Sequence, residues 1–457
     1  MIVLKFGGTS VGTAESLANV KKIVENLDAP AVVVVSALGG LTDRLIATAR
    51  MAAEGNPAYI QEWEEMAERH RRIIADVVPA DRQEPTLQSI SPVLRELRRL
   101  YDGVNLISDL PDKTLAQIVS TGERMSSVIV AEMIPSATHL DSLSVVKTEK
   151  WFDKDICATS LTDRLLREAL AAPGVTFPVV MGGFISADRN TGEITNLGRG
   201  GSDYTAALVA AALDADVLQI WTDVDGFLTC DPRIVPDAKV IDRMSFVESM
   251  DLCTFGAKVI YPPTIYPVFH KNIPIRILNT HRPDAPGTFI SDAQDASRNP
   301  VIGISALKDE ALVTLRGPMA SDPAAISGRC FNALARKGLT IHVVAGSAAL
   351  NSFSFAISTA DVPVAVRLLK EEFAPELVDG LLEVLEVQQN LATLAVVGDN
   401  IRRLHGGSSR VRSMLEEAGI HVFAISDKAS ETSLSFVVRE EDVTHALRTL
   451  HPLCFTR

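Results

Sequence analysis

Val3-Leu4-Lys5-Phe6-Gly7-Gly8-Thr9-Ser10 decides how the first half of the chain is read. Residues 2–6 form a β-rich run that breaks on two glycines, followed by two hydroxyl residues suited to cap a helix. Glycines let backbone N–H groups approach an anion closely, and a helix N-terminus adds a favourable dipole. Lys5, at the strand end, can neutralise a transferring phosphoryl group. The same residues also suit a plain strand–helix turn with a surface lysine, because Gly-Gly is a short motif. A Walker A loop is excluded: Gly7 and Gly12 have its spacing, but Thr13 stands where the lysine belongs.

Outward from this stretch, residues 31–36, 178–182 and 217–222 are further candidate strands, alternating with helical patterns. The run 31–35 is apolar without alternation, as in a strand covered on both faces. The class is therefore α/β, a mainly parallel sheet between helices, over residues 1–295. Residues 57–110 turn helical and strongly charged, an amphipathic insertion with a solvated face. A linker rich in Pro, Asp and Ser covers 280–299. Beyond it two β-rich segments repeat at an offset of 81 residues, Ser352-Phe353-Ser354-Phe355 meeting Ser433-Leu434-Ser435-Phe436. Each reads as a βαββαβ module, one over 300–390 and one over 391–457, with closing strands expected near 382–387 and 453–456.

The composition of the 457 residues, 47% hydrophobic and 22% charged, is that of a globular protein and excludes disorder. A net charge of −13 argues against a nucleic-acid partner. Five dispersed cysteines without a CxxC pair argue against disulfides or structural zinc and for a reducing compartment. No signal-peptide core and no membrane-length apolar run is present, so a cytoplasmic protein without a membrane partner is expected.

Three more loops carry chemistry. Gly198-Arg199-Gly200-Gly201-Ser202-Asp203 precedes a helix and departs from the dinucleotide fingerprint, with Asp203 in place of the third glycine. Arg199 offers a planar fork to a carboxylate; Ser202 and Asp203 also suit simple helix capping. Thr222-Asp223-Val224-Asp225-Gly226, at a strand end, lacks the remaining ligands of an EF-hand and fits a ligand loop of an α/β sheet. Phe255-Gly256-Ala257-Lys258-Val259 supplies a second lysine, available for a phosphate or simply solvated.

Together Lys5-Phe6-Gly7-Gly8-Thr9-Ser10-Val11, the Gly198–Asp203 loop, Thr222–Gly226, Asp231-Pro232-Arg233 and Phe255–Lys258 resemble the aspartokinase family in content and order. The repeated module resembles that family's tandem ACT domains. The resemblance implies an amino-acid kinase fold, with an eight-stranded mainly parallel sheet, that converts L-aspartate and MgATP to 4-phospho-L-aspartate. It implies ATP contacts from Lys5, Gly7, Gly8, Thr9, Thr222, Asp223, Arg233, Lys258 and Val259. It implies an aspartate pocket of Ser36, Thr42, Glu123, Phe184, Arg199, Gly200, Gly201 and Ser202, with Lys5 and Asp203 catalytic and no protein metal ligand. Through the ACT modules it implies feedback by lysine or threonine (Ser347, Asn351, Ser352, Glu431) and a homodimer or tetramer. A fused homoserine dehydrogenase is not expected after Arg457.

An aspartate side-chain carboxylate is ionised at neutral pH, so attack needs no general base, and positioning plus charge stabilisation carry the reaction. Glu123 answers the substrate's α-ammonium and Arg199 its α-carboxylate, while Asp203 either orients or caps. The chain departs from the family at Leu228 and Tyr261, where Tyr and His are common. It departs again at Leu350, where an acidic effector ligand belongs. The rival readings are a glutamate-type amino-acid kinase and a non-catalytic amino-acid sensor.

Overall fold

In the computed structural model, all residues are described except 152–153, 293–298, 317–322, 348–351, 381, 383, 402–403, 405, 428–430 and 456–457. The chain divides into two compact units, residues 1–227 with 260–292, and residues 228–259 with 293–457.

The first unit is built on a sheet in which Ile2–Phe6 lies between Ala31–Val35 and Val217–Thr222. Val179–Gly182 and then Thr138–Leu140 extend it beyond Ala31–Val35, and Ile275–Asn279 extends it beyond Val217–Thr222. These pairings are parallel; Thr288–Ile290 pairs antiparallel with Ile275–Asn279. Val32 to Val35 are fully buried, which explains the unalternating run of valines. Register sets up the site. Phe6 lies opposite Val35 and Trp221, and Val35 opposite Gly182, so the segments leaving these strands emerge side by side at the carboxyl edge. A smaller sheet orders Lys154–Cys157, Lys147–Trp151, Ile185–Asp188 and Ile194–Asn196.

The charged stretch after Pro57 folds into helices Tyr59–Val77 and Ala80–Ile107. Met66, Ala67, His70, Ile73 and Ile74 recur at helical spacing and are buried. Trp63 Nε1 donates to Leu94 O at 3.0 Å, tying the two helices together, and Tyr101 OH donates to Leu45 O at 3.2 Å, tying them to helix Leu41–Ala53.

His70 is fully buried; its Nδ1 bonds Met66 O at 2.7 Å, and Nε2 finds no partner among the described residues. Burial pushes its pKa down to about 4. Between pH 6.5 and 4 the unfolded chain then binds a proton that the native state refuses, so stability falls as pH drops through that window. The loss amounts to roughly 3 kcal/mol from this group. Urea midpoints from pH 7 to 4 should therefore fall more steeply for the wild type than for His70→Met, and parallel profiles would remove His70 from the acid sensitivity.

The second unit carries a six-stranded antiparallel sheet in the order Val343–Ser347, Ser352–Ser358, Gly303–Arg316, Val384–Val397, Ser433–Arg439, Ala424–Ser426. Its two central strands each run through 14 residues, and register shifts around Glu310 divide their pairing in two. One half, with helices Pro323–Ala335 and Val362–Glu372, buries Val313, Phe355 and Leu369; the other, with Gly407–Glu417 and Val443–Leu450, buries Leu394, Phe436 and Leu447. The strand expected near 453–456 is a correction. Residues His451–Phe455 form a 3₁₀ turn, with Leu453 and Cys454 packed in the core, and Thr456 lies outside the described residues. The edge position that strand would occupy beside 393–397 is already filled by 303–307, from far upstream.

Residues 228–259 contribute helix Phe246–Thr254, begun by a capping box of Ser245 and Glu248. Glu248 Oε1 also accepts the Asp399 N–H at 2.8 Å. All five cysteines are free thiols.

Candidate active site

At the carboxyl edge of the first unit's sheet lies a cavity of about 370 Å³. Ten of the residues anticipated from sequence line it: Lys5, Gly8, Ser36, Thr42, Glu123, Phe184, Gly200, Gly201, Ser202 and Asp203.

Backbone packing brings them together. A Cβ on Gly39 would stand 2.9 Å from Gly8 O, and one on Gly12 would stand 3.1 Å from the same oxygen, so the two glycine turns touch main chain to main chain. Helix Asp112–Met133 approaches as closely: a Cβ on Gly122 would stand 2.7 Å from Ala37 Cβ. Ser126 Oγ donates to Ser36 O at 2.8 Å from the same helix, which carries Glu123. On the opposite side a Cβ on Gly183 would stand 2.6 Å from Ser202 Cα. Phe184 is held at φ 65° with its N–H on Thr205 Oγ1 at 3.0 Å. A positive φ at a phenylalanine costs about 1–3 kcal/mol and persists where surrounding packing enforces it, commonly at binding sites.

Two helices begin at this cavity without side-chain caps. Leu41–Ala53 starts after Gly40 (φ 73°) and Gly201–Ala212 after Gly200 (φ 67°). Glycine suits both left-handed positions; the Leu41 and Gly201 N–H groups bond Leu38 O and Gly198 O, and the next N–H groups of each first turn face an anion as donors. Asp203, in the first turn, does not serve as the cap: its Oδ1 lies 2.6 Å from Lys5 Nζ, with both side chains nearly buried. The hydroxyl pair Thr9-Ser10 does not cap either. Thr9 is exposed, Ser10 Oγ bonds Thr280 Oγ1 at 2.7 Å, and Thr13 caps helix Ala14–Glu25 through the Ser16 N–H. The turn from Gly7 to Gly12 spans more residues than a minimal cap allows, which displaces that role onto Thr13.

Glu123 is 3% exposed. Its Oε1 accepts the Ala37 N–H at 3.1 Å, while Oε2 has no partner among the described residues. Burial pushes the carboxyl up to about 8 against the pull of that backbone bond. A buried carboxyl with one free oxygen, opening on a cavity, is a receptor for a cation.

Other anticipated residues stand apart from the lining. Gly7 is buried and donates its N–H to Trp221 O at 3.1 Å. Arg199 is exposed between the lining residues Gly198 and Gly200. Thr222 Oγ1 donates to Asp223 Oδ1 at 3.2 Å at the end of its strand. Arg233, Lys258 and Val259 belong to the second unit, where Arg233 forks onto Asp231 at 3.0 and 2.7 Å. Of the effector candidates, Asn351 and the Ser347 side chain lie outside the described residues, as does Leu350; Ser352 opens its strand opposite Ser347, and Glu431 is exposed.

Residues not anticipated also shape the site. Gly182-Gly183, a strand-end glycine pair like Gly7-Gly8, was a legible signal. Asp225, whose carboxylate takes Asn279 Nδ2 at 2.7 Å and Arg282, anchors the Thr222–Gly226 loop. Arg69, whose partners are main-chain carbonyls, had no sequence signal. Among the described residues no group of three or more His, Cys, Asp or Glu could hold a metal, and no helix is long and apolar enough to cross a membrane.

Comparison with known proteins agrees with this architecture. The family model described as "Amino acid kinase family" matches residues 1–279, and an ACT domain model matches 394–452. The chain is 33% identical to a bifunctional aspartokinase/homoserine dehydrogenase of Haemophilus influenzae, over 100% of this chain and 56% of that protein. It is 28% identical to the chloroplastic aspartokinase 1 of Arabidopsis thaliana, over 99% of this chain and 80% of that one. It thus spans about half the length of the bifunctional relatives. Among solved structures, E. coli aspartokinase III in complex with aspartate and ADP superposes with a TM-score of 0.84 at 29% identity, covering both chains fully. The chain belongs to the amino acid kinase family, its kinase fold followed by an ACT domain.

Proposed function

We propose that the protein transfers the γ-phosphoryl group of ATP to the side-chain carboxylate of L-aspartate, the first step towards lysine, threonine and methionine. The observation that carries this reading is one cavity that joins a buried lysine, two uncapped helix N-termini and a buried carboxyl with a free oxygen. That set matches a substrate with one ammonium and two carboxylates, together with a phosphate. An aspartate and ADP complex of a protein of the same fold supports the choice of ligands.

In the proposed mechanism Glu123 receives the α-ammonium, giving up its proton as it does so. The Gly201–Ala212 N-terminus, with Ser202 and Arg199, receives the α-carboxylate. The side-chain carboxylate oxygen forms a bond to the γ-phosphorus, the bond from that phosphorus to the β,γ-bridging oxygen breaks, and ADP leaves with the electron pair. Lys5, oriented by Asp203, neutralises charge on the transferring group, beside Gly8 in the cavity wall. Within the same unit, Thr222 and Asp223 are assigned to the nucleotide. Mg²⁺ would arrive with ATP, held by its phosphates, and would neutralise charge on the transferring group alongside Lys5.

We assign the enzyme to the cytoplasm, where five free thiols are stable. Self-association and an amino-acid effector, lysine or threonine, are assigned to the ACT unit. A monomer by light scattering would contradict the former, and insensitivity to both amino acids the latter. For the activity, an ADP-release assay with aspartate, glutamate and N-acetylglutamate is decisive: turnover with aspartate is expected, and turnover only with the other two overturns the proposal.

A further inference from the structure

The guanidinium of Arg69 comes from helix Tyr59–Val77, inside the charged insertion, and reaches the main chain of the two glycine turns next to the cavity-lining residues Gly8 and Gly40. Its Nη2 donates to Gly12 O at 3.0 Å and to Gly39 O at 2.8 Å. These carbonyls belong to the two glycine turns that touch through Gly8 O. Among the described residues no carboxylate pairs with Arg69, although the neighbouring Arg44 is paired with both Glu62 and Glu65. Burial first, and then the charge of Arg44, hold the Arg69 guanidinium below its ordinary pKa. A half-buried guanidinium whose described hydrogen bonds both go to main-chain oxygens acts on the backbone rather than on a side chain.

In a trans peptide the N–H points opposite to the C=O. Drawing Gly39 O back towards Arg69 therefore turns the Gly40 N–H the other way, at a residue that lines the cavity and opens helix Leu41–Ala53. Drawing Gly12 O back fixes the far end of the turn that begins at Gly7 and Gly8. The turns meet main chain to main chain at Gly8 and Gly39, and one guanidinium bonds both.

We propose that Arg69 is a positioning residue that locks the phosphate-side turn (Gly7–Gly12) and the substrate-side turn (Ser36–Gly40) into one frame, which gives the helical insertion a part in phosphoryl transfer. This rests on the function proposed above. It predicts a defect in alignment rather than in binding.

The test uses the full chain with Arg69→Met and Arg69→Lys. A misplacement of about 1 Å can cost on the order of 10²-fold in rate, so Arg69→Met should lower kcat by about that factor. KM for aspartate and for ATP should stay within about threefold, the pattern of a lost transition-state interaction. Arg69→Lys, or methylguanidinium added to Arg69→Met, should recover part of the loss. A loss that follows the folded fraction, ignores added methylguanidinium, or fails to appear overturns the proposal. Amide hydrogen exchange separates this from the functional reading. Faster exchange at both turns in Arg69→Met, with strand Ile2–Phe6 unchanged, upholds the strut even if the wild type shows no aspartate-dependent turnover; unchanged exchange at the turns defeats it.

Discussion

Replacing Lys5 by Met is expected to lower kcat for aspartate phosphorylation by about 10³-fold, the upper range for removing one preorganised donor from a transition state. The side chain is nearly buried at the end of the central strand, so its charge acts with little screening from solvent. The same burial brings a structural cost. Deleting Lys5 leaves Asp203 as an uncompensated buried carboxylate, a loss on the order of 3–5 kcal/mol. The double variant Lys5→Met with Asp203→Asn separates the two effects: it should melt close to the wild type and remain inactive. Near-normal turnover in either Lys5 variant removes this lysine from the mechanism. Asp203→Asn alone should retain more activity than Lys5→Met, because it loosens the lysine without removing the charge.

The second large effect is expected at Glu123. Glu123→Gln keeps the shape and the bond to the Ala37 N–H but cannot become an anion. Breaking a buried charge pair with the substrate ammonium should reduce kcat/KM for aspartate by about 10²-fold, near 3 kcal/mol. KM for ATP should change little. The pH profile is the sharper readout. With a carboxyl pKa of about 8, the free enzyme holds Glu123 protonated at pH 7 and must release that proton to take an ammonium. In the wild type kcat/KM for aspartate should therefore rise about tenfold per unit below pH 8 and level off above it, while Glu123→Gln should show no such rise. Calorimetry at pH 7 in buffers of different ionisation heat should register nearly one proton released per aspartate bound. A flat wild-type profile, or a glutamine variant that keeps the rise, rules this role out.

Much of the first unit was legible because its signals are local. A valine run without alternation means a strand covered on both faces, and a strand ending in Gly-Gly beneath a lysine means a close-approach turn. Phe184 and the Ser36–Thr42 turn were reached through family resemblance, since no short-range rule marks a phenylalanine destined for a positive φ. The cap on the first helix was misread because a hydroxyl pair fits a cap in any short window. Only the length of the turn, set by its contact with Gly39, moves that role to Thr13. The closing strand near 453–456 was misread for a related reason. Repetition predicts the same order of elements twice, yet the sheet position was taken by residues 303–307, about 150 positions upstream.

The sequence by itself determined the alternation of strands and helices, the sites of backbone tightness, and the residue types able to meet a phosphate, an ammonium and a carboxylate. These follow from side-chain volume, glycine conformation and charge, all properties of short stretches. Only the tertiary structure decided that Lys5 pairs with Asp203, that Glu123 keeps one oxygen unmatched, and that Arg69 fastens two turns. Each of these depends on parallel register bringing distant segments to one edge of the sheet, and on burial that no single residue carries in its own name.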